Sequence, residues 1–456
     1  MVHSYIDVFE KAGSPESLKP FIRFEQVWPV ESLERHTEIL KSFHDERTRY
    51  RKLDNMPREE LDSWTLRRLQ SLVKFSYEHI SYYRRLYSNV GFEPGDLKSL
   101  RDFTLLPIIQ KADLHEIYRE VVNNPWVKIN HKSRTSGSTG TPLSLINDTD
   151  RQKHWFVHRI QMFENMMQSP LQPEDWIYSI YYEPFLLTSI LGDYPTFTVG
   201  LGASYEDLAE HIRTLKPKIV TGVGRHVLKV AELLPDAKEL GILAFSTNSE
   251  TSSPGIRRDL SLKLGVPILD EYSSEELGII AWEERDGGYL VAEDTVHLEL
   301  VHYQDDDMES VIGTDLWNFA MPRIRYAQND YAIWKKSDPE YGLRRLDRIL
   351  GRQDMMIISP TYGPIDPGKI LEIFDTTLVL EDSGVEEFRL IQKSLKDLRL
   401  LIKPHPFKQA YETAIEAFCE RFYSLFGSQS KVTVELVDEL PFMGIKTRCI
   451  VREFDE

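Results

Sequence analysis

The chain has 456 residues and carries 55 Lys+Arg against 72 Asp+Glu, a formal charge of −17. At about 100 to 200 residues per domain this is a multidomain length, and a 41% hydrophobic content with 11% aromatics excludes an intrinsically disordered chain. The acidic balance argues against a protein that coats phosphate backbones or an anionic membrane surface, so no nucleic-acid partner is expected.

The opening residues, MVHSYIDVFEKAGSPESLKP, lack the basic start and apolar run of a secretory signal. From Pro57, Leu61, Trp64, Leu69, Leu72, Val73, Tyr77, Ile80 and Tyr83 recur at near-helical spacing and predict one long amphipathic helix ending before Gly91. Pro107 marks a short apolar turn, and a second helix starts at Lys111 to Leu114. The apolar stretch from Ile177 to Ala203 contains Glu183, Pro184, Asp193 and Pro195, so no membrane span is expected there. Short apolar runs at Ile219–Val223, Leu243–Phe245 and Val266–Leu269 alternate with helical segments at Tyr205–Leu215 and Pro254–Leu264. That order predicts strand-helix-strand units around a largely parallel sheet. The Arg225-His226 pair reads as the exposed start of a further helix.

Gly288 to Val301 followed by Ser310 to Phe319 predicts a hairpin with Asp305, Asp306 and Asp307 at an exposed tip. Beyond Asp354, strands at Phe388–Lys393, Leu398–Ile402 and Val432–Val437 surround a helix from Ala410 to Leu425 that stops at Gly427. The predicted organisation is α/β: a large N-terminal domain over residues 1–353, opened by a mostly helical segment 1–115, and a small α+β domain over 354–456. Cys419 and Cys449 are too few for a disulfide framework and read as core residues, and a soluble cytoplasmic protein is expected.

The chemistry concentrates first in Ser133-Arg134-Thr135-Ser136-Gly137-Ser138-Thr139-Gly140-Thr141-Pro142. Two glycines let backbone N–H groups converge on an anion and the hydroxyls add donors, the composition of a phosphate-cradling loop. The glycine-lysine-Ser/Thr ending of a Walker loop is missing, so a P-loop kinase or G-protein is not indicated.

With its neighbours, this loop resembles that of the acyl-adenylate-forming ligases, in particular the phenylacetate-CoA ligase-like branch that includes CapK-type proteins. Thr135 to Pro142 is similar to T-S-G-S/T-T-G-x-P, and Asp270-Glu271-Tyr272-Ser273-Ser274-Glu275-Glu276 to D-x-Y-x-x-x-E. Ile324-Arg325-Tyr326 with Asp330 resembles I-R-Y-x-x-x-D, and Arg348-Ile349-Leu350-Gly351-Arg352-Gln353-Asp354 resembles R-I-x-G-R-x-D. Val437-Asp438-Glu439-Leu440-Pro441 leading to Gly444-Ile445-Lys446 resembles V-D-E-I-P followed by G-K. The match is colinear from about residue 60 to 450, and Leu105 to Leu114 resembles the branch's L-P-I-L-T-K-E-D-L.

The resemblance implies a large adenylate-forming domain, a small mobile C-terminal domain, and an ATP-dependent carboxylate ligase passing through an acyl-AMP. Thr135, Ser136, Gly137, Ser138, Thr139, Gly140 and Thr141 would hold the β- and γ-phosphates. Glu276, with Glu275 as the adjacent candidate, would hold a Mg²⁺ bridging phosphate oxygens. Tyr272 would stack on adenine with Asp270 near its amine; Asn248, Ser249, Glu250, Glu271 and Ser273 would complete the nucleotide site. Asp330 would accept the ribose hydroxyls and Arg352 would donate to sugar or phosphate. Lys446 would be the catalytic cation, Asp354 the hinge, and Tyr181, Tyr182 and Phe185 part of the acyl pocket, favouring an aromatic or medium apolar acid. Coenzyme A is the favoured acceptor, with a carrier-protein thiol or an amine as alternatives, and a nucleotide-binding protein without the chemistry as a further one. The expected R-G-x-N-V-x-P turn reads instead Ser359-Pro360-Thr361-Tyr362-Gly363-Pro364-Ile365-Asp366-Pro367, and Lys446 stands one residue further from its glycine than in G-K.

Overall fold

A computed structural model describes residues 15–21, 45, 47–48, 50, 52–53, 55–126, 131–134, 143–182, 185–187, 193–250, 252–302, 308–336, 339–380, 383–406, 410–441 and 449–454. Helix α1 (Arg58–His79) buries Leu61, Leu69, Leu72 and Val73 on one face. The expected single helix breaks at Ile80, which takes an extended conformation (φ −122°, ψ 112°), and α2 (Ser81–Ser88) restarts in a new direction. The break buries Ile80, Tyr83 and Tyr87 together, and the Tyr83 hydroxyl donates to the Pro322 carbonyl at 2.7 Å. A continuous helix would keep the tyrosines on the heptad-like stripe of α1; packing against the 316–324 segment overrides that periodicity. Helix α3 (Lys111–Val121) starts with a reciprocal cap between Gln110 and Asp113 and buries Leu114, Ile117 and Val121.

Strands β1 (His131–Arg134) and β2 (Ser144–Asn147) form an antiparallel hairpin, followed by the long helix α4 (Thr149–Met167) capped by Asp148. The chain then builds β3 (Ile177–Tyr181), β4 (Phe185–Leu187), β5 (Thr196–Gly200), α5 (Tyr205–Leu215), β6 (Ile219–Val223), α6 (Gly224–Glu232), β7 (Ala244–Asn248), α7 (Pro254–Leu264) and β8 (Ile268–Ser274). Helices α5 and α7 begin at side-chain caps from Ser204 and Ser253, as their sequences require. All five residues of β5 and of β6 are buried, the continuous apolar pattern of strands covered on both faces.

The sheet is less parallel than expected. Its twelve strands among the described residues run in the order β11-β12-β13-β14-β10-β9-β8-β7-β6-β3-β5-β4, where β9 is Gly278–Glu283, β10 Tyr289–Val291, β11 Val296–His302, β12 Glu309–Asp315, β13 Tyr326–Trp334 and β14 Arg345–Arg352. Neighbours from β5 through β3, β6 and β7 to β8 are parallel. From β8 to β9 the pairing turns antiparallel, because a short turn rather than a crossover helix returns the chain and Gly278 accepts its positive φ of +77°. The expected hairpin is β11 with β12; β10 lies apart between β9 and β14, and Asp305 to Asp307 fall outside the described residues.

The C-terminal part has its own four-stranded sheet and its own core. The order is β19-β18-β17-β20, with β17 Val385–Gln392, β18 Asp397–Pro404, β19 Lys431–Leu436 and β20 Ile450–Arg452. The predicted strands and the helix, here α9 (Tyr411–Phe426), are joined by three elements the sequence did not announce: a β15–β16 hairpin (Ile357–Ser359, Gly363–Ile365), α8 (Pro367–Asp375), and the three-residue β20 paired parallel to β17. Phe374 of α8 stacks on Phe418 at 5.3 Å, and Phe418 on Phe422 at 5.4 Å, forming the centre of this core. Both cysteines are free and pack partly buried against it. Among the described residues no helix is long and apolar enough to cross a membrane.

Candidate active site

In an open α/β sheet the carboxyl ends of parallel strands leave a crevice where side chains converge. Here Tyr181 ends β3, Asn248 ends β7, and Glu271 to Ser274 form the end of β8. The turn after β7 is tight: Ser249 adopts φ +69° and donates from its hydroxyl to the Asn248 side chain at 2.9 Å. Glu250 then accepts the Arg225 backbone N–H at 2.8 Å, at the start of α6.

Beyond this turn, β8, β13 and β14 bring a second group together. Asp330 and Arg352 stand opposite each other in the β13–β14 register. The Tyr272 hydroxyl donates to Asp330 at 2.6 Å, and burial, then the Asp330 charge, pushes that phenol far above its ordinary range. Tyr326 reaches toward Glu276 at 3.5 Å, and the Arg352 charge acts on both tyrosines. Tyr272, Asp330, Arg352, Tyr326 and Glu276 therefore make one contiguous cluster. Tyr326 is a member that the motif contained but that sequence reasoning gave no role.

The two glutamates of the turn differ. Glu276 is half-buried and faces Tyr326, whereas Glu275 is exposed. Their backbone is gripped by Arg151, whose Nη2 donates to the carbonyls of Glu275 at 3.2 Å and Glu276 at 3.4 Å while its Nε donates to Asp315 at 2.8 Å. Asp315 also pairs with fully buried Arg323 at 3.3 Å. Arg323 and Asn318 both donate to the Ile146 carbonyl and the Asn147 side chain of β2. One buried polar network thus fixes the hairpin strand that follows the Ser/Thr/Gly loop against the turn that carries Glu276. No local signal in the sequence announces it, since Arg151 and Asp315 are 164 positions apart.

Two further motif residues are held by partners within the chain. Asp270 accepts from Thr247 at 2.7 Å, Tyr289 at 3.1 Å and Ser252 at 3.4 Å, and its N–H donates to Glu283, the partner of Arg257. Burial pushes its carboxyl up and Arg257 opposes the shift. Arg325 is buried and pairs with Glu299 through two 3.0 Å bonds.

Thr135, Ser136, Gly137, Ser138, Thr139, Gly140 and Thr141 lie outside the described residues, as does Lys446; β1 and β2 flank the loop. Cys449, three positions after Lys446, has its thiol pushed up to about 12 by burial, with Glu250 and Asp375 among the charges acting on it. Asp354 has its backbone in a short turn, Gln353–Met355, directly after Arg352, and its side chain is outside the description.

Tyr181 and Tyr182 meet edge to face at 5.2 Å, and burial with the nearby Glu250 pushes the Tyr182 hydroxyl up to about 12. The Phe185 backbone lies in β4, its side chain outside the description. Tyr178 belongs to the core, stacked on Phe197 and bonded to His211 at 3.1 Å. His226 corrects the exposed-pair expectation: it is buried against Tyr205, because its helix lays that face on the sheet.

Among the described residues no three His, Cys, Asp or Glu side chains gather as a metal centre. A half-buried glutamate such as Glu276 still suits Mg²⁺, which takes one or two carboxylates and completes its shell with phosphate oxygens and water. A cavity of about 380 Å³ between β14 and the C-terminal part, lined by Arg348, Tyr362, Asp366 and Lys369 among others, includes none of the candidate residues.

No family model matches the chain. It is 26% identical over 336 residues to a phenylacetate-coenzyme A ligase of Escherichia coli, covering 66% of this chain and 73% of that protein. It is 26% identical over 344 residues to the phenylacetate-coenzyme A ligase of Aromatoleum evansii, with 67% and 73% covered. Among solved structures it resembles a 2-hydroxyisobutyryl-CoA ligase in its postadenylation state, with TM-score 0.70, 21% identity, and coverage of 88% of this chain and 91% of that one. The same ligase with its acyl-AMP and CoA, in the thioesterification state, gives TM-score 0.56 at 22% identity, with 88% and 91% covered. The chain is therefore similar in sequence to phenylacetate-CoA ligases and shares the mixed α/β fold of acyl-adenylate-forming CoA ligases.

Proposed function

We propose that this protein is an ATP-dependent, AMP-forming acid-thiol ligase. A substrate carboxylate oxygen attacks the α-phosphorus of ATP, the acyl-phosphate bond forms, and the α–β phosphoanhydride bond breaks with release of pyrophosphate. A thiol then attacks the acyl carbon, the C–S bond forms, and AMP departs. The observation that carries this reading is the Tyr272, Asp330, Arg352, Tyr326 and Glu276 cluster at the strand ends, in a chain whose relatives are CoA ligases over two thirds of its length.

Each residue has a task set by its chemistry. The half-buried Tyr272 ring offers a flat face to adenine, and its bond to Asp330 holds that carboxylate ready for paired ribose hydroxyls. Arg352, opposite Asp330, donates to the sugar or phosphate. Glu276 holds Mg²⁺, which when bound neutralises phosphate charge and polarises the leaving group. Arg151 keeps that glutamate in register with the strand after the loop of residues 135–141. The loop supplies neutral donors to the β- and γ-phosphates. Lys446 brings a cation between two mutually repelling anions, where a water-poor site makes it most effective.

The separate core of the C-terminal part supports its division from the rest at Asp354 and its movement as a lid between the two half-reactions. Coenzyme A is the proposed acceptor, with a carrier-protein thiol or an amine as the alternatives. The acceptor is open to test because residues 357–365 form a tight hairpin, Ser359 accepting from the N–H groups of Thr361 and Tyr362 at 3.0 Å, where relatives are expected to carry arginine and asparagine. A cytoplasmic location suits an enzyme that uses ATP and CoA. Pyrophosphate release measured with Mg-ATP across aromatic and aliphatic acids, with no acceptor, with CoA or with hydroxylamine, tests the reading. Acid-dependent release with thioester formed from CoA is expected; hydroxamate without thioester would redirect the acceptor, and no release with any acid would refute the ligase.

A further inference from the structure

Lys446 belongs to a stretch of chain whose two ends are fixed on one strand. Strand β17 turns Leu390 into the C-terminal core and, by the alternation of a strand, Arg389 and Ile391 onto the opposite face. There Ile391, Leu401 and Val451 form a small second cluster, and Val437 and Leu440 pack on it as the chain leaves β19. The Val437 N–H donates to the Ile402 carbonyl of β18 at 2.9 Å. Four residues later a side chain takes over the holding. Arg389, opposite Leu401 in the β17–β18 register and only 4% exposed, donates from Nη1 to the Pro441 carbonyl at 2.6 Å.

The return is fixed one residue further along the same strand. The Leu390 N–H donates to the Cys449 carbonyl at 2.8 Å, and β20 then runs parallel to β17 with Ile450 beside Leu390. Residues 442–448 therefore depart from Arg389 and come back to Leu390, and Lys446 lies between anchors set on neighbouring residues. The second anchor is the backbone ladder of the sheet, which nearly any side chain at position 390 would allow. The first depends on a single side chain. Taking a guanidinium out of water is costly, and Pro441 is itself exposed, so water could satisfy its carbonyl without Arg389. The bond is better explained by what it holds in place than by stability.

We infer that Arg389 is the positioning residue for Lys446: by gripping the Pro441 carbonyl it fixes where the segment carrying the catalytic cation begins, and so where the ammonium meets the substrate carboxylate and the α-phosphate. A misplacement of about 1 Å at a reacting group can cost about 100-fold in rate. Arginine suits the task because its rigid, planar set of donors defines a direction as well as a distance. The inference rests on the adenylating reading of the site and adds a residue that acts through the lysine.

The test separates the two half-reactions in the full-length protein, using the acid that releases pyrophosphate fastest and its chemically prepared acyl-AMP. In the exchange of pyrophosphate into ATP, Arg389→Met is expected to lower kcat about tenfold or more while the KM values for ATP and acid stay within about twofold. Arg389→Lys is expected to recover part of the loss. Thioester formation from the acyl-AMP and CoA, a step in which the proposed mechanism gives Lys446 no part, should stay within about twofold of the wild type. Added to Lys446→Ala, Arg389→Met should cost nothing further. Equal losses in both half-reactions, or a further loss in the Lys446→Ala background, would show a role confined to the fold and overturn the inference; wild-type exchange in Arg389→Met would do the same. Undiminished exchange in Lys446→Ala would remove the lysine's role and the inference with it. Trypsin cleavage between Lys446 and Thr447, followed by mass spectrometry, supplies a readout that needs no activity, and Arg389→Met is expected to speed it about threefold or more. If no acid supports exchange, the ligase reading fails on its own and the cleavage rate decides: acceleration keeps Arg389 as the anchor of this segment, and an unchanged rate overturns it.

Discussion

The two flanks of the candidate site are built on opposite plans. On the proposed nucleotide flank the charged groups are already engaged: Tyr272 with Asp330, Arg151 and Arg323 with Asp315, Asp270 with Thr247 and Tyr289. On the proposed acid flank Tyr181 and Tyr182 meet edge to face and offer ring surfaces rather than engaged charges. A site that must present one geometry to every ATP molecule gains from preorganisation, because no reorganisation is needed when charge develops. A site that must choose among acids gains from groups that only the right ligand can satisfy. Substitutions on the first flank should therefore act equally on all acids, and those on the second should act on the ranking of acids.

The largest effect is expected at Asp315. Asp315→Ala leaves Arg151 and Arg323 buried without their counter-charge and should destabilise the fold by about 3–5 kcal/mol, read from urea unfolding. An unchanged midpoint would mean the network does not organise the nucleotide flank. Next, Glu276→Gln should slow pyrophosphate release about 100-fold with every acid alike, relieved in part by raised Mg²⁺. A loss confined to some acids would erase the distinction between the flanks. Asp330→Ala should raise the KM for ATP about tenfold while the order of preference among acids stays fixed, a split visible in steady-state kinetics.

How far these features were legible in advance follows the range of the interactions. Helices α5 and α7 and the strands around them could be read because apolar runs and serine caps are local signals. The break at Ile80 could not, since the helical spacing continues through it and only distant packing on Pro322 decides the direction. The antiparallel half of the sheet was similarly hidden: nothing local in β8 says whether its next neighbour arrives by a turn or a crossover. In the site, ordered motifs singled out Tyr272, Asp330, Arg352 and Glu276, while the Arg151–Asp315 pair carries no spacing that marks it. Asp270 stood in a motif, but its bonds to Thr247 and Tyr289 were not legible in it.

The smallest expected effect concerns His226, beside the acid flank. Burial, reinforced by Arg225, lowers its pKa from 6.5 to about 4, so between those values the unfolded chain binds more protons than the folded one. Stability therefore falls as pH drops through 6.5 toward 4, by about 0.7 kcal/mol between pH 7 and pH 6 for this one group. His226→Phe should flatten that part of the stability profile; an unaltered slope would show that the imidazole titrates freely in the folded protein.

Adenylation is the step on which every proposed role of the site depends. Acid-dependent exchange of radiolabelled pyrophosphate into ATP, followed without any acceptor, isolates that half-reaction. Exchange that requires a carboxylic acid and Mg²⁺ and disappears in Lys446→Ala is the expected result. A protein that binds ATP yet supports no exchange with any acid would contradict it.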